Sequence, residues 1–300
     1  MRTSFRRALS EGPVLLDGGL ATALEAAGAD LADPLWSAKL LLDDPEAIVT
    51  AHRSFVDAGA QVLTTASYQA SLPGLRARGL TDAAALQYIE QATALARRAA
   101  TELQWVAASA GPYGAYLADG SEYRGHYGVA LDDLVEFHAE RLPAYRTADV
   151  VAFETVPCRL EAEAIARACA SLPEGLDAWE SFSAADDAHA SSGEPIEACI
   201  EAALSSPRVL AVGVNCCAPQ DVLGLLRRIR TVTDVPLVAY PNAGRRYDAG
   251  AWHGAPISPS DMREHAAAWT DAGARLLGGC CQIGAAHLRT LHRAIAHGSR

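Results

Sequence analysis

The stretch Asp271-Ala272-Gly273-Ala274-Arg275-Leu276-Leu277-Gly278-Gly279-Cys280-Cys281 combines the end of a helix, a short strand and two adjacent cysteines. Gly273 stands where a helix C-terminus favours glycine, because glycine adopts left-handed backbone angles easily. The apolar run that follows it is typical of a buried strand. The stretch therefore predicts a helix, a tight turn and a strand whose carboxyl end carries two thiols.

The same order of elements recurs along the chain, and Asp57-Ala58-Gly59-Ala60 ends another predicted helix before a strand. The apolar runs mostly do not alternate with polar residues, as expected of parallel strands that are covered on both faces. The eight predicted strands are Val14–Asp17, Gln61–Thr65, Trp105–Ala110, Val150–Glu154, Ala178–Phe182, Val209–Asn215, Pro236–Tyr240 and Ala274–Leu277.

Helical patterns separate these strands, and proline or a cap-like residue stands at the start of several of them. The predicted helices are Pro45–Ala58, Asp82–Leu103, Leu131–Tyr145, Arg159–Ala170, Pro195–Leu204, Pro219–Arg230, Pro259–Thr270 and Ala285–Ala296. Eight strand–helix units predict an α/β protein with a (β/α)8 TIM barrel. Such barrels reach this length as one domain, so we predict a single domain over residues 1–300.

Composition narrows the class of protein. Half of the residues are apolar and a fifth are charged, as in a globular enzyme. The net charge of −11 and the lack of a basic patch with interleaved aromatics argue against a nucleic-acid partner. The basic cluster of Arg2, Arg6 and Arg7 precedes no long apolar stretch. We therefore predict no signal peptide, no membrane partner and a cytoplasmic protein.

Seven cysteines, an odd number in a long chain, do not resemble a disulfide framework. Cys216, in Gly213-Val214-Asn215-Cys216, ends a strand much as Cys280 and Cys281 do. Three thiolates at neighbouring strand ends would make a soft tetrahedral site with one open position, which suits a catalytic zinc ion. The spacing alone leaves two alternatives open, which are buried packing residues and a redox pair. We interpret Cys217 and the cysteines near helices as packing residues; the latter are Cys158, Cys169 and Cys199.

Other polar residues also follow predicted strands, on the barrel face where active sites are built. Asp17 and Glu154 are candidates for binding an ammonium group or acting as a base, with helix capping as the alternative. Several tyrosines could hold a cation by their ring faces or could pack within loops; they are Tyr68, Tyr113, Tyr116, Tyr123 and Tyr127. The nine histidines show no metal-binding spacing, and we assign them no catalytic part.

Taken together, these motifs resemble the zinc-dependent homocysteine S-methyltransferases over about residues 12–296. The segments that carry the resemblance are Leu16-Asp17-Gly18-Gly19, Thr64-Thr65-Ala66-Ser67-Tyr68-Gln69-Ala70-Ser71, Phe153-Glu154-Thr155, Gly213-Val214-Asn215-Cys216 and Gly278-Gly279-Cys280-Cys281. The resemblance implies a TIM barrel that holds Zn2+ on Cys216, Cys280 and Cys281. It also implies substrate-binding roles for a set of mouth residues, namely Asp17, Gly18, Ser67, Tyr68, Glu154 and Asn215.

Within that family, the segments around Tyr68 and from Gly111 to Tyr123 look like those of the branch that uses S-methylmethionine. The implied reaction moves a methyl group from a sulfonium donor (S-methylmethionine, or S-adenosylmethionine) to the zinc-activated thiolate of homocysteine and gives methionine. The alternatives are a zinc-dependent barrel hydrolase and a non-enzymatic zinc or redox thiol protein. The expected partners are small molecules. Asn242, after the seventh strand, is a candidate fourth zinc ligand, with Tyr68 and water as rivals.

Overall fold

Eight parallel strands pair side by side and return on themselves to form a barrel. The computed structural model of the chain describes residues 2–33, 35–244, 246–248 and 251–298. The barrel strands are β1 (Val14–Leu15), β2 (Val62–Thr64), β3 (Trp105–Ala110), β4 (Val150–Val156), β5 (Asp177–Phe182), β6 (Val209–Asn215), β7 (Leu237–Tyr240) and β10 (Ala274–Leu277). Their order around the barrel is β1-β10-β7-β6-β5-β4-β3-β2.

A single backbone bridge between Leu16 and Val62 brings the first and last strands of this order together. The Gln61 side chain reinforces the junction, because its oxygen accepts a hydrogen bond from the Leu15 amide at 2.9 Å. All eight predicted strands and the (β/α)8 fold are thereby confirmed. A two-stranded hairpin, β8 (Arg246–Asp248) with β9 (Ala251–His253), was not predicted.

The helices lie between the strands in chain order. They are α1 (Phe5–Glu11), α2 (Leu20–Ala26), α3 (Leu40–Asp43), α4 (Pro45–Asp57), α5 (Leu72–Arg76), α6 (Asp82–Ala99), α7 (Tyr113–Leu117), α8 (Leu131–Ala139), α9 (Arg159–Ala168), α10 (Ile196–Ala203), α11 (Pro219–Ile229), α12 (Pro259–Asp271) and α13 (Ala285–Gly298). Among the described residues, four short 3-10 helices accompany them, at Trp36–Lys39, Ser121–Tyr123, Leu142–Tyr145 and Cys169–Ser171. No helix among the described residues combines the length and the apolar character needed to span a membrane.

Two predicted helices are too long. The helix predicted to reach Leu103 ends at Ala99, because Ala100 is extended and Gln104 accepts hydrogen bonds from the amide and hydroxyl of Thr101. The helix predicted to reach Tyr145 ends at Ala139 and is followed by a 3-10 turn. Pro143 in that turn lacks an amide proton and disfavours the helical conformation at the residue before it. The cap at Thr81 and the left-handed glycines at 59 and 273 are confirmed.

The interior of the barrel is closed at its amino-terminal end by α1. Phe5 and Leu9 of this helix are buried against the interior cluster, and the Phe5 ring centroid lies 5.7 Å from that of Trp105 and 6.1 Å from that of Trp179. Small interior residues such as Ala107 leave room for the two indoles. A second, larger apolar cluster packs the helices onto the outside of the strands. The filled lower half leaves the carboxyl-terminal mouth as the place for a cavity.

Candidate active site

Three cysteines converge above the mouth of the barrel. Cys216 immediately follows β6, whereas Cys280 and Cys281 lie just beyond the end of β10, and β7 separates the two strands. The Sγ atoms of Cys216 and Cys281 are 3.5 Å apart, and those of Cys280 and Cys281 are 3.9 Å apart. All three sulfur atoms lie within 4.8 Å of one another, so together they could hold a metal ion.

The loop after β7 holds the two cysteine turns against each other. The Asn242 backbone amide donates to the Cys217 carbonyl, and its side-chain amide donates to the Cys216 carbonyl, each at 3.0 Å. On the other side, the Cys280 amide donates to the Pro241 carbonyl at 2.8 Å. The Asn242 side-chain oxygen accepts from the Gly244 amide at 2.7 Å. The loop at Pro241 and Asn242 therefore joins the two cysteine turns, and the Asn242 side-chain oxygen accepts a hydrogen bond within its own turn.

Strained backbone surrounds this centre. Cys216 has a φ of +49° and Thr155, at the end of β4, has a φ of +63°, angles that cost free energy in residues with a Cβ atom. Asn215 holds Thr155 in place, since its side-chain oxygen accepts from the Thr155 amide at 2.7 Å and its amide donates to the Thr155 hydroxyl at 2.8 Å. Asn215 is fully buried and lies behind the cavity wall. It fixes the strained residue beside the site.

The three thiols are electrostatically unequal. Hydrogen bonding with Cys280 and Cys281 holds the pKa of the Cys216 thiol well below its usual value, and the same interactions raise the pKa of Cys280 and of Cys281. The Tyr123 hydroxyl lies 3.1 Å from Cys216 Sγ and supports the same charge. By contrast, burial raises the pKa of Cys217. Its thiol lies in the apolar cluster, which fits the predicted packing role.

A cavity of about 530 Å³ opens above the cysteines, within the size range of small-molecule sites. Its wall contains five carboxylic acids, which are Asp17, Glu25, Asp33, Glu122 and Glu154. No lysine, arginine or histidine among the described residues lines it. The cavity is therefore suited to ligands that carry positive charge.

Glu154 stands at the floor of the cavity with both carboxylate oxygens engaged. Ser109 Oγ donates to one oxygen, and the Tyr240 hydroxyl donates to the other at 3.0 Å. Tyr240 in turn accepts from Trp179 Nε1 at 3.3 Å. Burial raises the pKa of Glu154 to about 7, against the opposing effect of the two hydroxyl donors. Its charge is consequently sensitive to pH near neutrality.

Asp17 also lines the cavity, but its hydrogen bonds tie the end of the first strand to β2 at the barrel junction. Its two carboxylate oxygens accept from the amide of Thr64 at 2.8 Å and from the Thr64 hydroxyl at 2.7 Å. The helix-capping alternative is wrong, because no side chain caps α2. Burial raises the pKa of Asp17 to about 8. Beside it, a Cβ atom on Gly18 would lie 2.3 Å from the Ile283 carbonyl oxygen, so only glycine permits the loop after β10 to approach so closely.

The predicted tyrosine cluster divides into two groups. Tyr68 and Tyr123 line the cavity. The other three form an aromatic group with Phe137. Tyr113 and Tyr116 pack against Phe137, with ring centroids 5.1 and 5.9 Å away, and Tyr127 packs against Tyr113 at 5.5 Å. Burial and the nearby Glu122 carboxylate raise the pKa of Tyr68 well above its usual value, so it remains a phenol. Loop packing is therefore the correct interpretation for three of the five.

Ser67 does not line the cavity. Its hydroxyl donates to the Ser109 carbonyl at 2.8 Å and lies 2.7 Å from the Thr65 hydroxyl. These bonds tie the loop after β2 to β3, next to the residue that supports Glu154. Ser67, like Asn215, lies one layer behind the wall.

A buried polar network, which the sequence did not reveal, anchors the loop that carries Tyr123. Glu161 accepts from the Tyr113 amide at 2.5 Å and from the Tyr127 hydroxyl at 2.8 Å, and lies 2.9 Å from His138 Nε2. Arg141 completes the network by donating to the Gly111 carbonyl at 2.6 Å. Burial lowers the pKa of His138 to about 4, so the ring is neutral. The local sequence around His138 does not predict these contacts, because the partners are distant along the chain.

Comparison with known proteins decides the family. A sequence profile described as homocysteine S-methyltransferase matches residues 14–295. The chain belongs to the homocysteine S-methyltransferase family. It is 43% identical to homocysteine S-methyltransferase YbgG of Bacillus subtilis, with 90% of each chain covered, and 41% identical to homocysteine S-methyltransferase 2 of Zea mays, covering 95% of this chain and 90% of the relative.

A solved relative shares the fold closely. The metallated form of the homocysteine methyltransferase MmuM from Escherichia coli superposes with a TM-score of 0.84 at 39% identity, covering 94% of this chain and 96% of that one. The family and the methyltransferase activity predicted from the sequence are thereby confirmed. The three-cysteine group supplies a place for a metal ion in this chain.

Proposed function

We propose that this protein transfers a methyl group from a sulfonium donor, S-methylmethionine, to homocysteine and forms methionine, with Zn2+ held by Cys216, Cys280 and Cys281. The observation that carries the proposal is the convergence of three thiols at one wall of a cavity rich in carboxylates. Because the family acts on homocysteine by its description, the thiol substrate fits the sulfur centre.

The donor set fits zinc. Tetrahedral zinc with Zn–S bonds of about 2.3 Å separates its sulfur ligands by roughly 3.8 Å. The observed Sγ separations of 3.5 and 3.9 Å bracket that value. Three thiolates with no further cysteine, histidine, aspartate or glutamate joining their group among the described residues are typical of a catalytic zinc site. When bound there, zinc supplies the Lewis acidity that favours the thiolate form of homocysteine.

The chain's own residues hold the amino acid substrate. We propose that Glu154 pairs with the homocysteine ammonium group, because it lies at the cavity floor and is supported by Ser109 and Tyr240. Asp17 and Gly18 form the adjoining wall, and Tyr68 closes another side. Ser67 and Asn215 act one step back, by positioning the loops that carry these residues.

The methyl transfer itself needs alignment more than acid–base chemistry. The bond between the methyl carbon and the donor sulfur breaks, its electron pair stays on that sulfur, and a new bond forms to the homocysteine sulfur. S-methylmethionine and homocysteine therefore give two molecules of methionine and one proton. Opposite charges are neutralised in this step, so a cavity that excludes water and fixes the line of attack favours it.

The two alternative functions lack comparable support. The hydrolase alternative relies on Glu154 as the base that activates water, and both Glu154 oxygens already accept hydrogen bonds from hydroxyl groups. A redox role for Cys280 and Cys281 would not call for Cys216, yet the third sulfur lies beside them. We further propose small-molecule partners, a homocysteine-binding barrel domain over residues 1–300 and a cytoplasmic location, which stay predictions from the sequence.

A labelling experiment tests the proposal. Reduced, zinc-loaded protein is incubated with 13C-labelled homocysteine and S-methylmethionine, S-adenosylmethionine or no donor, and labelled methionine is quantified by mass spectrometry. We expect labelled methionine to appear with S-methylmethionine and to disappear when a chelator removes the metal. An absence of labelled methionine with every sulfonium donor would refute the proposed function.

A further inference from the structure

Glu122 is a carboxylate in the cavity wall that takes no part in the proposed binding of zinc or homocysteine. It lies in the 3-10 turn Ser121–Tyr123, directly before the tyrosine that contacts Cys216. Its Oε2 atom is buried and has no hydrogen-bond partner among the described residues. Glu154 and Asp17, in the same cavity, have both oxygens engaged.

A buried carboxylate oxygen without a partner is unfavourable, because it has left water and gained nothing in return. No described lysine, arginine or histidine lines the cavity. The nearby Arg124 is exposed and pairs with Asp119 at 2.9 Å, and its effect on the pKa of Glu122 is smaller than that of burial, which raises it. A positively charged ligand would supply the missing interaction. The unpartnered oxygen therefore points to a cation that arrives from outside the protein.

The cavity that Glu122 lines also contains the sulfur centre and two aromatic rings. The next residue along the chain, Tyr123, has its hydroxyl 3.1 Å from Cys216 Sγ, so the turn that carries Glu122 lies against the sulfur centre. The Trp36 ring stands at 68° to the Tyr68 ring with centroids 6.4 Å apart, and both line the cavity. Aromatic faces attract cations, above all where water is scarce.

The position of Glu122 is fixed by backbone contacts. Ser183 Oγ donates to the Glu122 carbonyl at 2.8 Å, and the Tyr113 end of the same loop is tied to buried Glu161. The backbone that carries Glu122 is thus fixed at the cavity wall, as expected of a segment that meets a ligand in a defined place.

We propose that Glu122 is the counter-charge for the sulfonium centre of the methyl donor, with the rings of Tyr68 and Trp36 completing the cation site. The inference rests on the proposed function and names the donor class, an aliphatic sulfonium amino acid. Once the methyl group has left, the donor sulfur is a neutral thioether and the attraction to Glu122 ends. Glu122 therefore selects the charged donor over the neutral product.

The test compares two ligands that differ only in this charge. S-methylmethionine and 2-amino-5-methylhexanoic acid have the same shape, ammonium and carboxylate, but the second has a CH group in place of the sulfonium. Binding of each to the zinc-loaded wild type, Glu122→Gln, Glu122→Asp and Glu25→Gln is measured by calorimetry without homocysteine. Glu25→Gln is the control, since Glu25 is an exposed carboxylate of the same cavity.

We expect the wild type to prefer the sulfonium by about ten- to a hundredfold, as for an ion pair in a partly buried site. Glu122→Gln should remove most of that preference, leaving only the part that the aromatic rings supply, and should leave the affinity for the neutral isostere within about twofold. Glu122→Asp should keep most of the preference, and Glu25→Gln should keep all of it. The thermal stability of Glu122→Gln should not fall, because the substitution removes an unpartnered carboxylate.

Two outcomes would overturn the inference. Equal weakening of both ligands in Glu122→Gln would assign the carboxylate to the ammonium group, and unchanged binding of both would leave it no role. Either result, together with labelled methionine from the wild type, defeats this inference while the proposed function stands. A wild type that neither binds S-methylmethionine nor forms labelled methionine defeats both.

Discussion

The two ends of the barrel are built from different interactions. At the amino-terminal end, the Phe5 ring packs against Trp105 and Trp179, and Arg2 adds an ion pair with Asp149 at 2.5 Å. At the carboxyl-terminal end, left-handed backbone at Cys216 accompanies buried carboxyl groups with raised pKa values. Packing at the amino-terminal end lowers the free energy of the folded chain. Strained backbone and buried carboxyl groups at the carboxyl-terminal end raise it, and the same features hold reactive groups in place.

The ends are nevertheless connected through the barrel axis. The Phe5 ring faces Trp179, whose indole nitrogen donates to the Tyr240 hydroxyl, which donates to Glu154. This column of side chains is apolar from Phe5 to the Trp179 ring and polar from Tyr240 to Glu154. Substitutions below Trp179 should therefore change stability, whereas substitutions above it should change the binding of metal or substrate.

The largest effect is expected for Cys280→Ser. Serine oxygen is a poor replacement for a thiolate at a soft metal, so the variant should lose the metal, which we expect at about one equivalent per chain in the wild type, and with it the formation of labelled methionine. Elemental analysis under reducing conditions measures the loss. Cys217→Ser is the matched control, since this neighbour of Cys216 packs in the core, and it should keep the metal. Full retention in Cys280→Ser would contradict the assignment.

At the opposite end, Phe5→Ala should lower the free energy of unfolding by about 3–5 kcal/mol, because it empties the space beneath two indoles. Urea unfolding measures this change. Leu103→Ala is the control; Leu103 is 71% exposed, so its loss should shift the value by no more than about 0.5 kcal/mol. The folded Phe5→Ala variant should keep its metal. Metal loss without unfolding would show that the two ends are not separable.

At the cavity floor, Glu154→Gln should weaken homocysteine binding by about ten- to a hundredfold, the value of a charge-assisted hydrogen bond of roughly 1.5–3 kcal/mol. The metal should remain in place, because Glu154 is not one of the three ligands. Calorimetric titration measures the affinity and elemental analysis the metal. An unchanged affinity would remove Glu154 from substrate binding.

The raised pKa of Glu154 also predicts that substrate affinity increases with pH. Burial raises the pKa of Glu154 to about 7, so the carboxylate that attracts an ammonium group is charged only above that pH. The affinity for methionine, which has no titrating thiol, should therefore rise with pH below about 7, by up to about tenfold per unit, and level off above that pH. Glu154→Gln should flatten the profile, and a wild-type affinity that falls over this range would contradict the assignment.

The smallest effect is expected for Tyr123→Phe. Its hydroxyl contacts Cys216 Sγ and orients it, so removal should weaken the metal affinity by about two- to tenfold, the value of one hydrogen bond. Competition with a chelator measures this affinity. The metal content should stay at the wild-type level. Complete metal loss would make Tyr123 as important as a cysteine and would require a revised ligand set.

The strands and the sulfur centre follow from local sequence, because each depends on a run of neighbouring residues. The fully apolar run of β6 predicts a strand that is covered on both faces, and the cysteine just after it lies where parallel strands end. Two such runs with β7 between them suffice to predict that Cys216 meets Cys280 and Cys281. The family resemblance adds the chemistry of the metal.

What the sequence missed depends on distant contacts or on weak signals. Helix α1, which closes the amino-terminal end of the barrel interior, had a sequence signal, since Phe5, Ala8 and Leu9 repeat at helical spacing after the capping Ser4. His138 gave none, because its partner Glu161 comes from another helix. The spacing of polar residues after a strand likewise cannot separate residues that line a cavity from those, such as Asn215, that lie one layer behind it.

X-ray absorption at the zinc edge, before and after homocysteine is added, counts the sulfur ligands of the metal. Three protein sulfurs and an open fourth position predict three sulfur neighbours near 2.3 Å with one lighter atom, and four sulfur neighbours once homocysteine is present. Asn242 is not expected to supply the lighter atom, because its oxygen accepts from the Gly244 amide. Four sulfur neighbours in the absence of homocysteine, or a spectrum that homocysteine leaves unchanged, would contradict the account.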